Sequence, residues 1–315
     1  IMTICLELNA QSAFFGTSYE GGENFLGSIF RTDGNGENLQ VVFEAEGTAA
    51  FPQGNLVEVS NGIFYGVTDG SFIGNGEGFI FEYNSTTNEF LQKFQFVDSL
   101  GTNPETGLIL ASNGKLYGTT NNGGSNGNGV IYEYDYVNDL YSKKADFDFS
   151  TTGNGSENLI EASNGKLYTT TINGGSTNSG AFLEYDPSSE MLIKKADLNS
   201  AIHGRAIHGG LMESNGVIYG ATTTSSGVDG GAIIQYDLIS EVFSKLVDLP
   251  IDSDSDGTPF VASDGNLYLA TTFGGLNSVG QLVQYNFSTS TLTTVVQFDT
   301  VGIGQASGVF LEIDQ

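Results

Sequence analysis

The segment NSAIHGRAIHGG (199–210) holds both histidines of the chain, His203 and His208, with Arg205, one of only two arginines. An imidazole titrates near neutrality and can carry a proton, and a guanidinium offers a planar fork of donors to a carboxylate. The cluster can therefore bind a carboxylate or perform acid–base chemistry; the plainer alternative is a surface loop in which basic residues coincide. A spacing of five between the histidines matches no strong metal motif, and no third ligand can be assigned. A second segment, DSDSDG (252–257), has the first half of a calcium loop in Asp252, Asp254, Asp256 and Gly257. The twelfth position is Ser263 rather than a bidentate glutamate, so the EF-hand pattern fails and weak calcium binding competes with a solvated acidic loop. No other cofactor is indicated.

Other constellations exclude themselves. The pairs Gly123-Gly124, Gly174-Gly175, Gly230-Gly231 and Gly274-Gly275 are followed by no Gly-Lys-Ser/Thr and open no helix, which removes phosphate cradling. The pairs Thr119-Thr120, Thr170-Thr171, Thr222-Thr223 and Thr271-Thr272 can donate hydroxyls to a sugar, but β-branched threonine is first of all a strand former. No nucleophile elbow is present. A net charge of −27, from 10 basic and 37 acidic residues, repels a phosphate backbone and argues against nucleic-acid partners. Cys5, the single cysteine, excludes an internal disulfide, and no run approaches the roughly 18 apolar residues of a membrane-spanning helix.

The elements that must position these clusters are strands. Aligned on a Tyr-Gly step, the sequence repeats at Phe15-Gly16, Tyr65-Gly66, Tyr117-Gly118, Tyr168-Thr169, Tyr219-Gly220 and Tyr268-Leu269, at intervals of 50, 52, 51, 51 and 49. A second landmark recurs six times in the same register: SIFRTD, FIFEYN, VIYEYD, AFLEYD, AIIQYD and QLVQYN. In the third copy, GLILAS (107–112) reads as a first strand, Asn113-Gly114 as a two-residue type I′ turn, KLYGTT (115–120) as a second strand, VIYEYD (130–135) as a third and LYSKKADF (140–147) as a fourth.

Four antiparallel strands in each of six copies predict an all-β chain, a single domain over 1–315 built as a six-bladed β-propeller of four-stranded antiparallel blades. The expected closure pairs 308–314 with the strand after Ser12, so that the ring is closed by N- and C-terminal strands; a seven-bladed or open array, truncated here, is the alternative. Residues 1–10 read either as a signal-peptide remnant, ending at Leu8-Asn9-Ala10, or as a leader strand, which Glu7 favours. The glycine-rich loops and the connections between blades share one face of such a ring, and both clusters lie on those connections.

The pattern Asn-Gly, x-Leu-Tyr-Gly-x-Thr, Gly-Gly, Gly-x-Ile-Phe-Glu-Tyr-Asp resembles the GloVer tandem-repeat family of bacterial secreted and surface proteins, over essentially the whole chain. The third and fourth copies fit best. The resemblance implies an exported protein, secreted or held at the cell surface, and carries over no catalytic residue. The leading functional reading is a binding or adhesion module for carbohydrate or another surface polymer, monomeric and without membrane insertion, with His203, Arg205 and His208 as binding candidates. A propeller hydrolase or lyase centred on the same three residues is the second, and an architectural repeat spacing other domains is the third.

Overall fold

The computed structural model describes residues 13–19, 25–44, 51–69, 77–156, 158–223, 230–276 and 278–298. Among them every sheet is an antiparallel meander, and the single helical segment is a 3-10 turn at Asp98–Leu100. The chain divides into two compact units, Ile1–Phe147 and Asp148–Gln315.

The first unit holds three sheets. Sheet one is β1 (Phe14–Ser18), β2 (Ser28–Thr32) and β3 (Gln40–Glu44); sheet two is β4 (Pro52–Ser60), β5 (Ile63–Thr68), β6 (Phe79–Asn84) and β7 (Glu89–Gln95). Sheet three is β8 (Ile109–Leu110), β9 (Leu116–Thr119), β10 (Val130–Asp135) and β11 (Leu140–Asp146). The second unit repeats the plan. Sheet four is β12 (Ile160–Glu161), β13 (Leu167–Thr170), β14 (Ala181–Asp186) and β15 (Met191–Asp197). Sheet five is β16 (Met212–Ser214), β17 (Val217–Ala221), β18 (Ala232–Asp237) and β19 (Val242–Asp248); sheet six is β20 (Phe260–Val261), β21 (Leu267–Thr271), β22 (Gln281–Asn286) and β23 (Thr291–Gln297). The expected closing strand, 308–314, and the leader, 1–10, lie outside the described residues.

Within each unit the sheets pack face to face, because a single small sheet cannot bury both of its apolar faces. In the first, Tyr65, Val67, Ile80 and Phe96 of sheet two meet Leu116, Val130, Tyr132 and Tyr134 of sheet three. In the second, Tyr168, Phe182 and Leu198 of sheet four meet Ile218, Ile234 and Tyr236 of sheet five, while Ala221 and Ile233 meet Leu269 and Val283 of sheet six. The repeated tyrosines form one contact twice: Tyr65 lies 5.9 Å from Tyr134, and Tyr168 lies 5.8 Å from Tyr236, centroid to centroid.

The first hairpin differs from expectation. In sheet three only Ile109 and Leu110 pair, and the loop closes with Ala111 N donating to Lys115 O while Gly114 N donates to Ala111 O. Gly114 alone takes a positive φ, +76°. A three-residue loop with a left-handed glycine therefore replaces the type I′ turn. The cause is the asparagine side chain: Asn113 Oδ1 accepts from Lys115 N at 3.1 Å and its Nδ2 donates to Tyr117 Oη at 2.9 Å. Among the described residues two first hairpins keep the two-residue form: sheet two, where Gly62 alone is left-handed between Ser60 and Ile63, and sheet five, where both Asn215 (φ +52°) and Gly216 (φ +79°) are left-handed between Ser214 and Val217.

The threonines prove to be stitching. Thr68, Thr120, Thr171, Thr222 and Thr271 accept the N–H of Phe79, Val130, Ala181, Ala232 and Gln281 respectively, at 2.9–3.2 Å, and so tie the second strand to the first residue of the third. By this register the four Thr-Thr pairs are not equivalent, since the stitching residue is the second member in sheets three and four and the first in five and six. The Gly-Gly pairs are not equivalent either. Gly231 corresponds to Gly129, Gly180 and Gly280, each of which precedes the third strand and accepts from the residue after the fourth.

Candidate functional site

Both sequence clusters lie in the second unit, on consecutive connections between sheets. In the first, Asn199 O accepts from Ile202 N and His203 N, and His203 Nδ1 accepts from Asn199 N at 3.1 Å. His203 is half-buried edge-on to Phe243, with centroids 5.2 Å apart. Burial and the charge of Lys245 hold its pKa below the ordinary 6.5, so it is a neutral, structural imidazole.

Beyond Gly204 the chain changes role. Arg205 bridges Thr223 through paired backbone hydrogen bonds of 3.1 and 2.9 Å, the position taken by Asn154 in sheet four and Thr102 in sheet three. Its guanidinium donates to Asn173 Oδ1 at 2.8 Å. The next residue, Ala206, is buried with φ +37°, where sheets three and four have Asn103 and Gly155, residue types that tolerate positive φ. Strain of this kind persists where the surroundings impose it and clusters at functional sites. Ile207 is buried in the core, and the buried Asn158 amide donates to the carbonyls of Ile207 (3.1 Å) and Gly209 (3.4 Å), one on each side of His208. That clamp presents the half-exposed His208 outward.

The acidic connection alternates. Ser253 and Ser255 are fully buried, bound to Gln281 Nε2 and Ala270 O, which turns Asp254 and Asp256 toward solvent. Asp254 O accepts from Thr272 N at 2.7 Å, and Thr272 Oγ1 donates to Asp256 Oδ2 at 3.2 Å.

The two connections border one open cleft of about 430 Å³, lined by Ile172, Arg205, Ala206, His208, Thr223, Asp254 and Asp256. Arg205 and His208 are thereby joined to Asp254 and Asp256; His203 and Asp252 are not on its wall. Among the described residues no three His, Cys, Asp or Glu side chains converge to hold a metal ion. The cleft instead offers guanidinium donors, carboxylate acceptors, an imidazole and a hydroxyl in one small space. Sequence reasoning named Thr223 only as one of eight repeated threonines and missed Ala206, whose signal was an alanine where sheets three and four have asparagine and glycine.

The Gloeobacter/Verrucomicrobia repeat matches residues 105–313, which include sheets three to six and both cleft connections. The chain belongs to this repeat family. No curated protein matches the sequence. Known structures similar to this member of the Gloeobacter/Verrucomicrobia repeat family include two of the extracellular domain of BT4673 from B. thetaiotaomicron, described as a hybrid two-component or one-component system. Each has a TM-score of 0.66 and 17% identity, covering 98% of this chain and 34% or 35% of that one. TolB from Acinetobacter baumannii aligns with a TM-score of 0.52 and 14% identity over 89% of this chain and 61% of its own. At these identities the likeness is one of fold, and the chain spans about a third of the BT4673 domain. No helix among the described residues is long and apolar enough to cross a membrane.

Proposed function

We propose that this repeat protein is an exported, six-bladed propeller that binds a hydroxyl-rich ligand, carbohydrate or another surface polymer, in the cleft between Arg205 and Asp256. The observation that carries the reading is the cleft itself: two consecutive connections abandon the repeat and bring donors and acceptors together. Adjacent hydroxyls of a sugar are both donor and acceptor, and a wall that alternates guanidinium, imidazole, carboxylate and threonine hydroxyl satisfies both roles. The strained Ala206 beside Arg205 supports a functional rather than incidental loop. Export rests on the family and on the extracellular BT4673 domain that shares the fold.

The test is a glycan and matrix-polymer array probed with the wild type and with Arg205→Ala/Asp256→Ala. Binding is expected to fall about tenfold or more in the variant, the loss of one to two charge-assisted hydrogen bonds, with an unchanged unfolding midpoint. A ligand retained by the variant places the site elsewhere. A hydrolase or lyase is the second reading, because His208 shares the cleft with two carboxylates; turnover of a bound polymer that His208→Ala abolishes would select it.

The propeller part of the proposal has its own check. Sheet one has three strands among the described residues, with β1 at its edge; in the proposed ring 308–314 would pair with that edge. Deleting 308–315 is expected to raise hydrogen exchange at the β1 amides while leaving β10 and β14 protected. Unchanged exchange at β1 would refute closure by this strand.

A further inference from the structure

Sheet six repeats the plan of its neighbours with the charges removed. Where sheet three has Glu133 and Asp135, sheet six has Gln284 and Asn286; where it has Lys115, sheet six has Asn266. The outer strands show the same exchange. β7 contains Lys93, β11 Lys143 and Lys144, β15 Lys194 and Lys195, and β19 Lys245, whereas β23, TLTTVVQ, contains no charge.

The replaced groups are interacting ones. In sheets three to five Lys143–Asp146, Lys194–Asp197 and Lys245–Asp248 are ion pairs of 2.7–2.9 Å between residues three apart, and sheet two has the neutral pair Gln92–Gln95 at these positions. In β23 their places are taken by Thr294 and Gln297, which bind Gln281 Oε1 at 2.9 and 3.3 Å. One charged residue, Asp264, remains between positions 258 and 298, against eight between 158 and 198.

Lysines on an edge strand are a known device against edge-to-edge pairing; of the six outer strands β3 and β23 lack them, and β23 alone carries no charge at all, β3 ending in Glu44. Its Val295 and Val296 are 51% and 41% exposed, and Leu276, whose N–H donates to Gln297 Oε1, is 83% exposed. A bulge interrupts the register at Val295, but the same bulge occurs in the other outer strands and does not distinguish them.

We propose that the outer edge of β23 is an interaction surface for a second copy of this chain, pairing antiparallel across a two-fold axis. Antiparallel pairing across a two-fold axis sets residue i opposite j and j opposite i. With the axis just past the central residue of the strand, it would bring Lys143 opposite Lys144 on β11 or Lys194 opposite Lys195 on β15, while on β23 it brings Thr294 opposite Val295 and Thr293 opposite Val296, uncharged β-branched neighbours. Two molecules of charge −27 repel one another least where their surfaces are neutral, and sheet six is that surface. The result is a weak dimer rather than the monomer the sequence suggested, strengthened by salt because the contact itself is uncharged.

Sedimentation equilibrium under reducing conditions, so that Cys5 forms no cross-link, tests this. The wild type is expected to show a concentration-dependent dimer that tightens with added salt. Thr294→Lys/Val295→Lys, which gives β23 the lysine pair of β15, is expected to raise the dissociation constant at least about tenfold. Should that variant fold poorly, Thr294→Lys/Gln297→Asp introduces the ion pair of sheets three to five and is expected to have the same effect. A wild type monomeric at millimolar concentration, or a dimer indifferent to a folded lysine variant, would overturn the proposal.

Discussion

Replacing Gly180 with alanine is expected to remove more than about 3 kcal/mol of stability from the second unit, enough to unfold it under mild denaturant. Gly180 enters β14 with φ +94°, and a Cβ placed there would lie 1.9 Å from the carbonyl oxygen of Thr171. That carbonyl cannot retreat cheaply, since Thr171 is bound to Ala181 through both its backbone N–H and its hydroxyl. Gly180 O in turn accepts from Leu198 N, so displacement of the glycine would also loosen the end of β15. Gly165 is the control, because its φ is +75° and nothing lies within 4 Å of its added Cβ. Gly165→Ala carries the backbone strain without the collision and is expected to cost about 1 kcal/mol. Urea unfolding of both variants checks the contrast; equal losses would show that backbone conformation, not close approach, fixes glycine before the third strand.

Glu184→Ala is expected to cost about 3 kcal/mol, the loss typical of removing one partner from a buried ion pair. Its side chain is 2% exposed and takes a 2.6 Å bond from Lys166, a 2.7 Å bond from Tyr168 Oη and a 3.6 Å contact from Lys195, which is itself 11% exposed. Removing the carboxylate takes from Lys166 its 2.6 Å acceptor and leaves Lys195 paired with Glu241 at 3.1 Å. Sheet six supplies the comparison: Gln284 Nε2 donates to Tyr268 Oη at 2.7 Å, and that hydroxyl donates to Asp264 Oδ2 at 2.8 Å. The direction of the hydrogen bonds is reversed relative to sheet four, where Asn164 donates to Tyr168 and Tyr168 to the glutamate. Gln284→Ala loses one neutral bond and is expected to cost about 1 kcal/mol.

The same glutamate makes stability depend on pH. Burial pushes the Glu184 carboxyl up, but hydrogen bonds from Lys166 and Tyr168 and the charges of Lys195 and Lys166 outweigh it, leaving the pKa below the ordinary 4.5. Its contribution is therefore fully present above pH 4.5 and is lost as pH falls through the lower folded value. Acid titration of Glu184→Gln should show less of this loss than the wild type.

Strand order and sheet count were legible because Tyr-Gly and Glu-Tyr-Asp repeat in fixed register, and hydrophobic alternation fixes which face is buried. The turns were less legible. Asn113-Gly114 and Asn215-Gly216 share a dipeptide yet form different loops, since Asn113 bonds to Tyr117 and Lys115 whereas Asn215 bonds to Ser214. A dipeptide does not encode those partners. The final Asp of the Glu-Tyr-Asp motif also proved to be a turn residue, Asp135 Oδ1 accepting from Val137 N and Asn138 N at 3.1 Å. At the candidate site, residue type pointed to His203 as readily as to His208. Only packing separates them, one edge-on to Phe243 and the other clamped outward by Asn158, and that difference depends on residues about 40 and 50 positions away.

The repeat builds the sheets, and the proposed binding takes place where two connections abandon it. Calorimetric titration with whatever polymer the arrays select, comparing the wild type with Arg205→Ala/Asp256→Ala and with His203→Gln, tests it most directly. Affinity is expected to collapse in the first variant and to persist in the second, whose substituted residue lies off the cleft wall. Loss of binding with His203→Gln and its retention with the cleft variant would contradict it.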